Sequence, residues 1–178
     1  WIIVGSARDI TERRRAEASL QESASELRLL IDNVPAMILY VDPNQRCIFS
    51  NLRYATFFGH IADTLVGKHL REIIGDASYP ALIPHFEQAL EGHQVTYERE
   101  VSIANGERRW IEVKLVPRTT DSGEKRGFYS MAIDVTERKR AGEWAQYAAN
   151  HDSLTGVPNR LLFIDRLGQT IGLARRDT

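Results

Sequence analysis

The chain has 178 residues, 23 of them basic and 24 acidic, so a net charge of −1 leaves no electrostatic footprint for a nucleic-acid partner. Hydrophobic residues make up 43% and charged residues 26%, the balance of an ordinary globular chain, and a lone cysteine, Cys47, excludes an internal disulfide and fits a reducing compartment. No apolar run approaches the ~20 residues of a membrane span, so we expect this stretch to be cytoplasmic without membrane contact of its own, whether or not its parent is anchored upstream. The short basic runs Arg13-Arg14-Arg15 and Arg138-Lys139-Arg140 both follow acids on helical stretches and read as solvated helix faces.

Residues 1–10 (WIIVGSARDI) read as the last strand of an upstream domain, and the absence of an initial Met suggests a piece of a longer protein. Thr11 is placed to cap a linker helix over 11–33. In it Ala16, Leu20, Ser23, Leu27, Leu30 and Val34 recur at alternating steps of four and three, which is a heptad seam. That seam fits a parallel homodimer, or else an amphipathic helix lying on its own domain.

Pro35 ends the helix, and a domain over 34–136 begins. Met37–Val41 and Arg46–Ser50 read as short strands joined by the turn residues Asp42-Pro43-Asn44-Gln45. A short helix from Asn51 to Phe58 is closed by Gly59, and 61–76 reads as helical turns. A longer helix follows from Ser78 to Leu90, with Pro80 near its start and Pro84 disturbing its ladder. Then come three alternating strands. Gln94–Ala104 has Val95, Tyr97, Val101 and Ile103 on one face; Arg108–Val116 has Ile111, Val113 and Leu115; Arg126–Val135 has Tyr129, Met131, Ile133 and Val135. Asn105-Gly106 marks a hairpin between the first two. The order predicts an α+β domain, a five-stranded antiparallel sheet with helices on one face and linker helices at both ends.

An exit helix over 137–152 carries Ala141, Ala145, Ala148 and Asp152 in the register of the first, and 153–178 begin a further module in which Asn159 can cap a helix bearing Leu161, Leu162, Ile164 and Leu167. The exit junction repeats the entry junction: ARDITERRRAE at 7–17 returns as AIDVTERKRAGE at 132–143, a spacing of modules in series rather than of a solenoid repeat.

Residues 27–137 resemble a PAS sensor domain. The resemblance lies in LIDNVPAMILYVDPNQRCIFSN, the YATFFG helix, and EGHQVTYERE, GERRWIEVKLVP and GEKRGFYSMAIDVTER in that order. Residues 151–167 are similar to the opening of a GGDEF domain, the diguanylate cyclase family, through Asp152-Ser153-Leu154-Thr155-Gly156-Val157-Pro158-Asn159-Arg160, with Val157 the one departure. The LLFIDRL continuation also resembles proteins in which an EAL phosphodiesterase domain follows GGDEF. The resemblance implies that the catalytic turn, metal-binding acids and guanine site lie in segments other than these, so no catalytic or metal residue is expected here. It further implies a signal relay at Asp9, Thr11, Asp134, Thr136, Glu137, Arg138, Asp152, Leu154 and Thr155, with each Asp and Thr fastening a last strand to its exit helix. A rival reading is the input module of a histidine kinase, for which His151 stands near the phosphoacceptor position. Another is a ligand-free structural dimerisation domain.

Four residues are candidates for a small-molecule pocket. Arg99 shares the apolar face of Val95, Tyr97 and Val101, and a guanidinium there needs a carboxylate or an anionic ligand unless a bulge or rim position carries it outward. Tyr40 and Asn51 can add hydrogen bonds. His85, on the helix before the meander, is the candidate haem ligand, but no second haem signature accompanies it. The sequence identifies no cofactor; the pocket is expected to be empty or to hold a small anion. Cys47 falls on a predicted strand, where a buried inert thiol is expected.

Overall fold

A computed structural model describes residues 11–61, 64–164 and 166–167; the strand expected over 1–10, Asp9 included, lies outside them. In chain order the elements are α1 (Thr11–Asn33), β1 (Met37–Val41), β2 (Cys47–Ser50), α2 (Leu52–Phe58), α3 (Leu70–Ile74), α4 (Tyr79–Leu90), β3 (Val95–Ser102), β4 (Arg108–Thr119), β5 (Lys125–Asp134) and α5 (Thr136–Asn150). The chain divides into two compact units, one through Ile133 and one from Asp134.

In the first unit the five strands form one sheet in the order β2-β1-β5-β4-β3. Two hairpins set its edges. Between β1 and β2 the Asp42 carboxylate accepts from the amides of Asn44 and Arg46 at 2.9 and 2.8 Å, an Asx turn that closes the loop. Between β3 and β4 the Gly106 amide donates to the Ile103 carbonyl, Gly106 takes φ +82° and Asn105 accepts from the Glu107 amide, a turn closed by a left-handed glycine. β5 then runs antiparallel beside β1, from Met37 opposite Ala132 to Val41 opposite Phe128. The chain passes from β2 at one edge to β3 at the other through α2–α4.

Pleating decides which residues meet in the core. Leu39 and Val41 on β1, Val95 and Val101 on β3, and Ile111, Val113 and Leu115 on β4 are buried with Leu82 and Phe86 of α4. On β5 the inward row is Phe128, Ser130 and Ala132. The row Tyr129, Met131 and Ile133 shares one face, as its spacing requires, but that face points away from the core. There Tyr129 stacks on Tyr40 at 4.8 Å, and the Arg118 guanidinium sits 4.9 Å above the Tyr40 ring.

Asn51 caps α2 and Gly59 closes it in the left-handed region at φ +74°. Asn51 also ties the end of α1 into the domain. Its Oδ1 accepts from the amides of Ile38 (2.9 Å) and Tyr54 (3.0 Å), and its Nδ2 donates to the carbonyls of Ile31 (3.1 Å) and Ala36 (2.9 Å). Asp32 adds a bond to the Leu52 amide. The body of α1 is exposed: Leu20, Leu27 and Leu30 of the seam lie open to solvent, and Val34 falls one residue beyond the helix.

In the second unit α5 is exposed along nearly its whole length, Trp144 and Tyr147 included. It stops at Asn150, two residues short of the predicted end, because His151 is extended (φ −126°, ψ 151°) and Asp152 belongs to a turn.

Candidate functional site

A cavity of about 420 Å³ lies inside the first unit, within the range of small-molecule sites. Leu39, Leu70, Ile73, Leu82, Phe86 and Val113 give it apolar walls, and Tyr54, Tyr97, Arg99 and Ser130 give it polar groups. Period two on β3 puts Arg99 beside Tyr97 and Val101, as the sequence predicts. Burial pushes the Tyr97 phenol up to about 12 and raises that of Tyr54 as well, while the Arg99 guanidinium pulls both downward. Both hydroxyls therefore stay neutral at physiological pH, able to donate as well as to accept.

The other three pocket candidates are placed elsewhere. Tyr40 is on the outer face of the sheet, since it alternates with the inward Leu39 and Val41, and its hydroxyl donates to the Arg126 carbonyl at 2.7 Å. Asn51 is fully buried, with its amide committed to the four backbone bonds above. His85 stacks on the Tyr97 ring at 4.3 Å with a 10° interplanar angle and is not part of the cavity lining, so it is not positioned as an axial ligand. The sequence reading missed Tyr54 as a lining residue. Its signal was the i, i+4 spacing with Phe58, which puts both rings on the inward face of α2. Cys47 is buried, and desolvation raises its thiol to about 11, so it is an inert core residue.

At the exit junction Asp134 accepts from a backbone amide and Thr136 lies inside the helix. Thr136 is the first residue of α5 and Val135 occupies the capping position, without a side-chain cap. Asp134 bonds this end of the helix: its Oδ1 accepts from the Thr136 amide at 2.9 Å. A carboxylate suits the place, because the first helical amides lack intrahelical acceptors and carry positive partial charge. Thr136 is buried, while Glu137 and Arg138 are exposed on the first turn, where Glu137 pairs with Arg140. At the entry junction Thr11 opens α1.

After α5 the second unit holds a compact clasp. Asp152 Oδ1 accepts from the Thr155 hydroxyl (2.8 Å) and from the amides of Thr155 (2.9 Å) and Leu154 (3.2 Å). Asn159 donates to the Ala149 carbonyl and accepts from the Leu162 amide. Tyr147 stacks on His151 at 4.0 Å, and its hydroxyl reaches the Gly156 carbonyl. Asp152 and Thr155 thus meet, whereas the Leu154 side chain is almost wholly exposed.

The Thr155 hydroxyl, followed by the two amides, holds the Asp152 carboxyl below the usual carboxylate range. A lowered folded-state value means that the turn's stabilisation is present above the ordinary carboxylate value and is lost as pH falls through the lowered one. Asp152→Asn is expected to lower the protection of the Leu154 and Thr155 amides at neutral pH, relative to their intrinsic exchange rates, and to remove the loss of that protection in acid. Hydrogen exchange followed by NMR checks both.

A sequence model of the PAS fold matches residues 31–140, more than half of the chain. The chain belongs to the PAS family. Its PAS domain is 26% identical to that of Bordetella pertussis BvgS, with a TM-score of 0.54 over 70% of this chain and 95% of that structure. Among curated relatives, the virulence sensor protein BvgS of B. pertussis is 32% identical over 78% of this chain and 11% of its own length. The diguanylate cyclase DgcM of Escherichia coli K12 is 29% identical over 84% of this chain and 36% of its own length. An uncharacterised protein of Sinorhizobium fredii, y4lL, is 29% identical over 88% of this chain and 20% of its own length. The PAS domain and its flanks thus span between about a tenth and a third of these relatives. No helix among the described residues is long and apolar enough to cross a membrane.

Proposed function

We propose that this chain is the sensory and relay segment of a cyclic di-GMP enzyme. In this reading the PAS domain at 34–136 steers, through its exit helix, a GGDEF domain opened by residues 153–178, and two copies pair through the linker helices. The Asp152 clasp carries the reading. Its Asp-x-Leu-Thr-Gly-x-Pro-Asn-Arg pattern resembles the start of GGDEF domains, and Asp152, Thr155 and Asn159 each direct their side chains into the turn. The similarity to DgcM over 154 residues supports it as well.

The second reading, input to a histidine kinase, draws on the similarity to BvgS and to the blue-light-activated histidine kinase of Brucella anthropi. His151 argues against it. A phosphoacceptor on an exit helix would need that residue within the helix, and His151 is the extended residue that ends α5.

The relay works through α5. Asp134 fastens the end of β5 to the first amide of the helix, so a change in the sheet changes how the helix leaves. Ala141, Ala145 and Ala148 specify register weakly, which leaves two helix packings within a few kcal/mol. Asp134→Ala combined with Thr136→Ala in the full-length parent is expected to change cyclic di-GMP output on the order of fivefold, as a coupling of about 1 kcal/mol would. The PAS core should keep its thermal midpoint to within a few degrees. Unchanged output with an intact fold overturns the relay.

A further inference from the structure

We propose that the cavity takes a small organic monoanion, a carboxylate on an apolar or aromatic body, with Arg99 as its counter-ion. This deepens the sensor reading and depends on it for the consequence of binding, while the binding itself stands on the cavity alone.

Beside hydroxyls, which donate and accept alike, the charged groups of the lining are Arg99, Arg108 and Glu100. Among the described residues no ion pair or hydrogen bond holds the Arg99 guanidinium, and none engages the hydroxyls of Tyr54 and Tyr97. Arg108 and Glu100, also part of the lining, satisfy each other at 3.2 Å. Two guanidiniums against one carboxylate leave the described lining with one positive charge in excess. An arginine cannot shed its proton to relieve that charge, so an occupant of opposite sign is favoured. One excess charge matches a carboxylate better than a phosphate dianion. The Tyr97 ring is held against His85, which fixes its place in the wall before any ligand arrives. At ~30 Å³ per water the volume of about 420 Å³ holds roughly 14 waters, or an organic molecule on the order of 10–15 non-hydrogen atoms. The apolar walls select against a compact inorganic anion, which would leave them wet.

The test measures binding to the 178-residue chain by calorimetry, with phenylacetate, cinnamate, naphthoate, octanoate and decanoate as probes, each beside its neutral amide. At least one acid is expected to bind about tenfold more tightly than its amide. Arg99→Gln is expected to abolish that ratio, and Arg99→Lys to retain most of it. Circular dichroism and the ligand-free thermal midpoint establish that each variant folds; if Arg99→Gln does not fold, the acid-to-amide ratio in the parent chain and in Arg99→Lys decides. Equal binding of acid and amide, no binding by any acid in the set, or a ratio that survives Arg99→Gln in a folded protein overturns the proposal. The relay is read separately, because the Asp134 and Thr136 variants are assayed without any probe.

Discussion

Asn51→Ala is expected to lower the unfolding free energy by about 3 kcal/mol and the thermal midpoint on the order of 10 °C. The residue is fully buried and each half of its amide is used twice. Truncation leaves the amides of Ile38 and Tyr54 without an acceptor and the carbonyls of Ile31 and Ala36 without a donor. Each unsatisfied buried group costs about 1–3 kcal/mol, and water entering the space left behind recovers part of the sum. Asn51→Asp separates the contributions. It keeps the acceptor for Ile38 and Tyr54 but turns a carboxylate oxygen toward two carbonyls, so it should destabilise at least as much as the alanine. Urea unfolding followed by circular dichroism measures both. A loss below about 1 kcal/mol for either variant would show that the four bonds do not hold together the end of α1, the start of β1 and the start of α2.

Gly127→Ala is expected to cost a further large fraction of the stability, about 3 kcal/mol. Gly127 has φ +107°, and a Cβ there would lie 1.9 Å from the Val41 carbonyl oxygen and 2.9 Å from the Asp42 Cα. Both obstacles are backbone, at the end of β1 where β5 pairs with it, so the strands must move apart to admit a methyl group. Gly123→Ala is the control: its φ is +81°, but nothing lies within 4 Å of the added carbon. It incurs only the left-handed backbone penalty of about 1 kcal/mol. The difference between the two variants in one urea titration isolates the close approach of β5 to β1. Equal losses would mean that the sheet yields there without cost.

The sheet was largely legible in the sequence because its strongest signals are local. Asn105-Gly106 sets the hairpin and thereby the register from Val95 opposite Leu115 to Ser102 opposite Arg108. Period two brought Arg99 inward with Tyr97. The inner face of β5 was harder to see, since its outer row, Tyr129, Met131 and Ile133, is the more apolar of the two. The inner row holds Ser130 and Ala132 because the cavity lies over it, and a cavity needs small side chains beneath it. Asn51 could be read as the start of α2, but its bonds to Ile31, Ala36 and Ile38 span 13 to 20 residues, which no local pattern encodes. Tyr40 missed the cavity for a simpler reason: it alternates with Leu39 and Val41, the residues that do face inward. At the junction the Asp-x-Thr signature was visible, but which backbone amide the carboxylate reaches was not. The carboxylate, two residues before the amide it receives, reaches the helix end, and the threonine becomes its first residue.

Cysteine cross-linking along the exit helix tests the central claim most directly. The one cysteine of this chain, Cys47, is wholly buried, so in a parent whose other cysteines are replaced by serine, single cysteines introduced into the exposed α5 would be the reactive ones. With Ala141, Ala145 and Ala148 replaced one at a time, and Gln146 as an off-seam control, the full-length protein is expected to cross-link between copies at the three seam positions and weakly at the control. Adding Asp134→Ala should redistribute the cross-linked fractions among the seam positions while the domain stays folded. Equal cross-linking at all four positions, none at any, or a pattern that Asp134→Ala leaves unchanged would contradict a helix pair whose register is set at the end of β5.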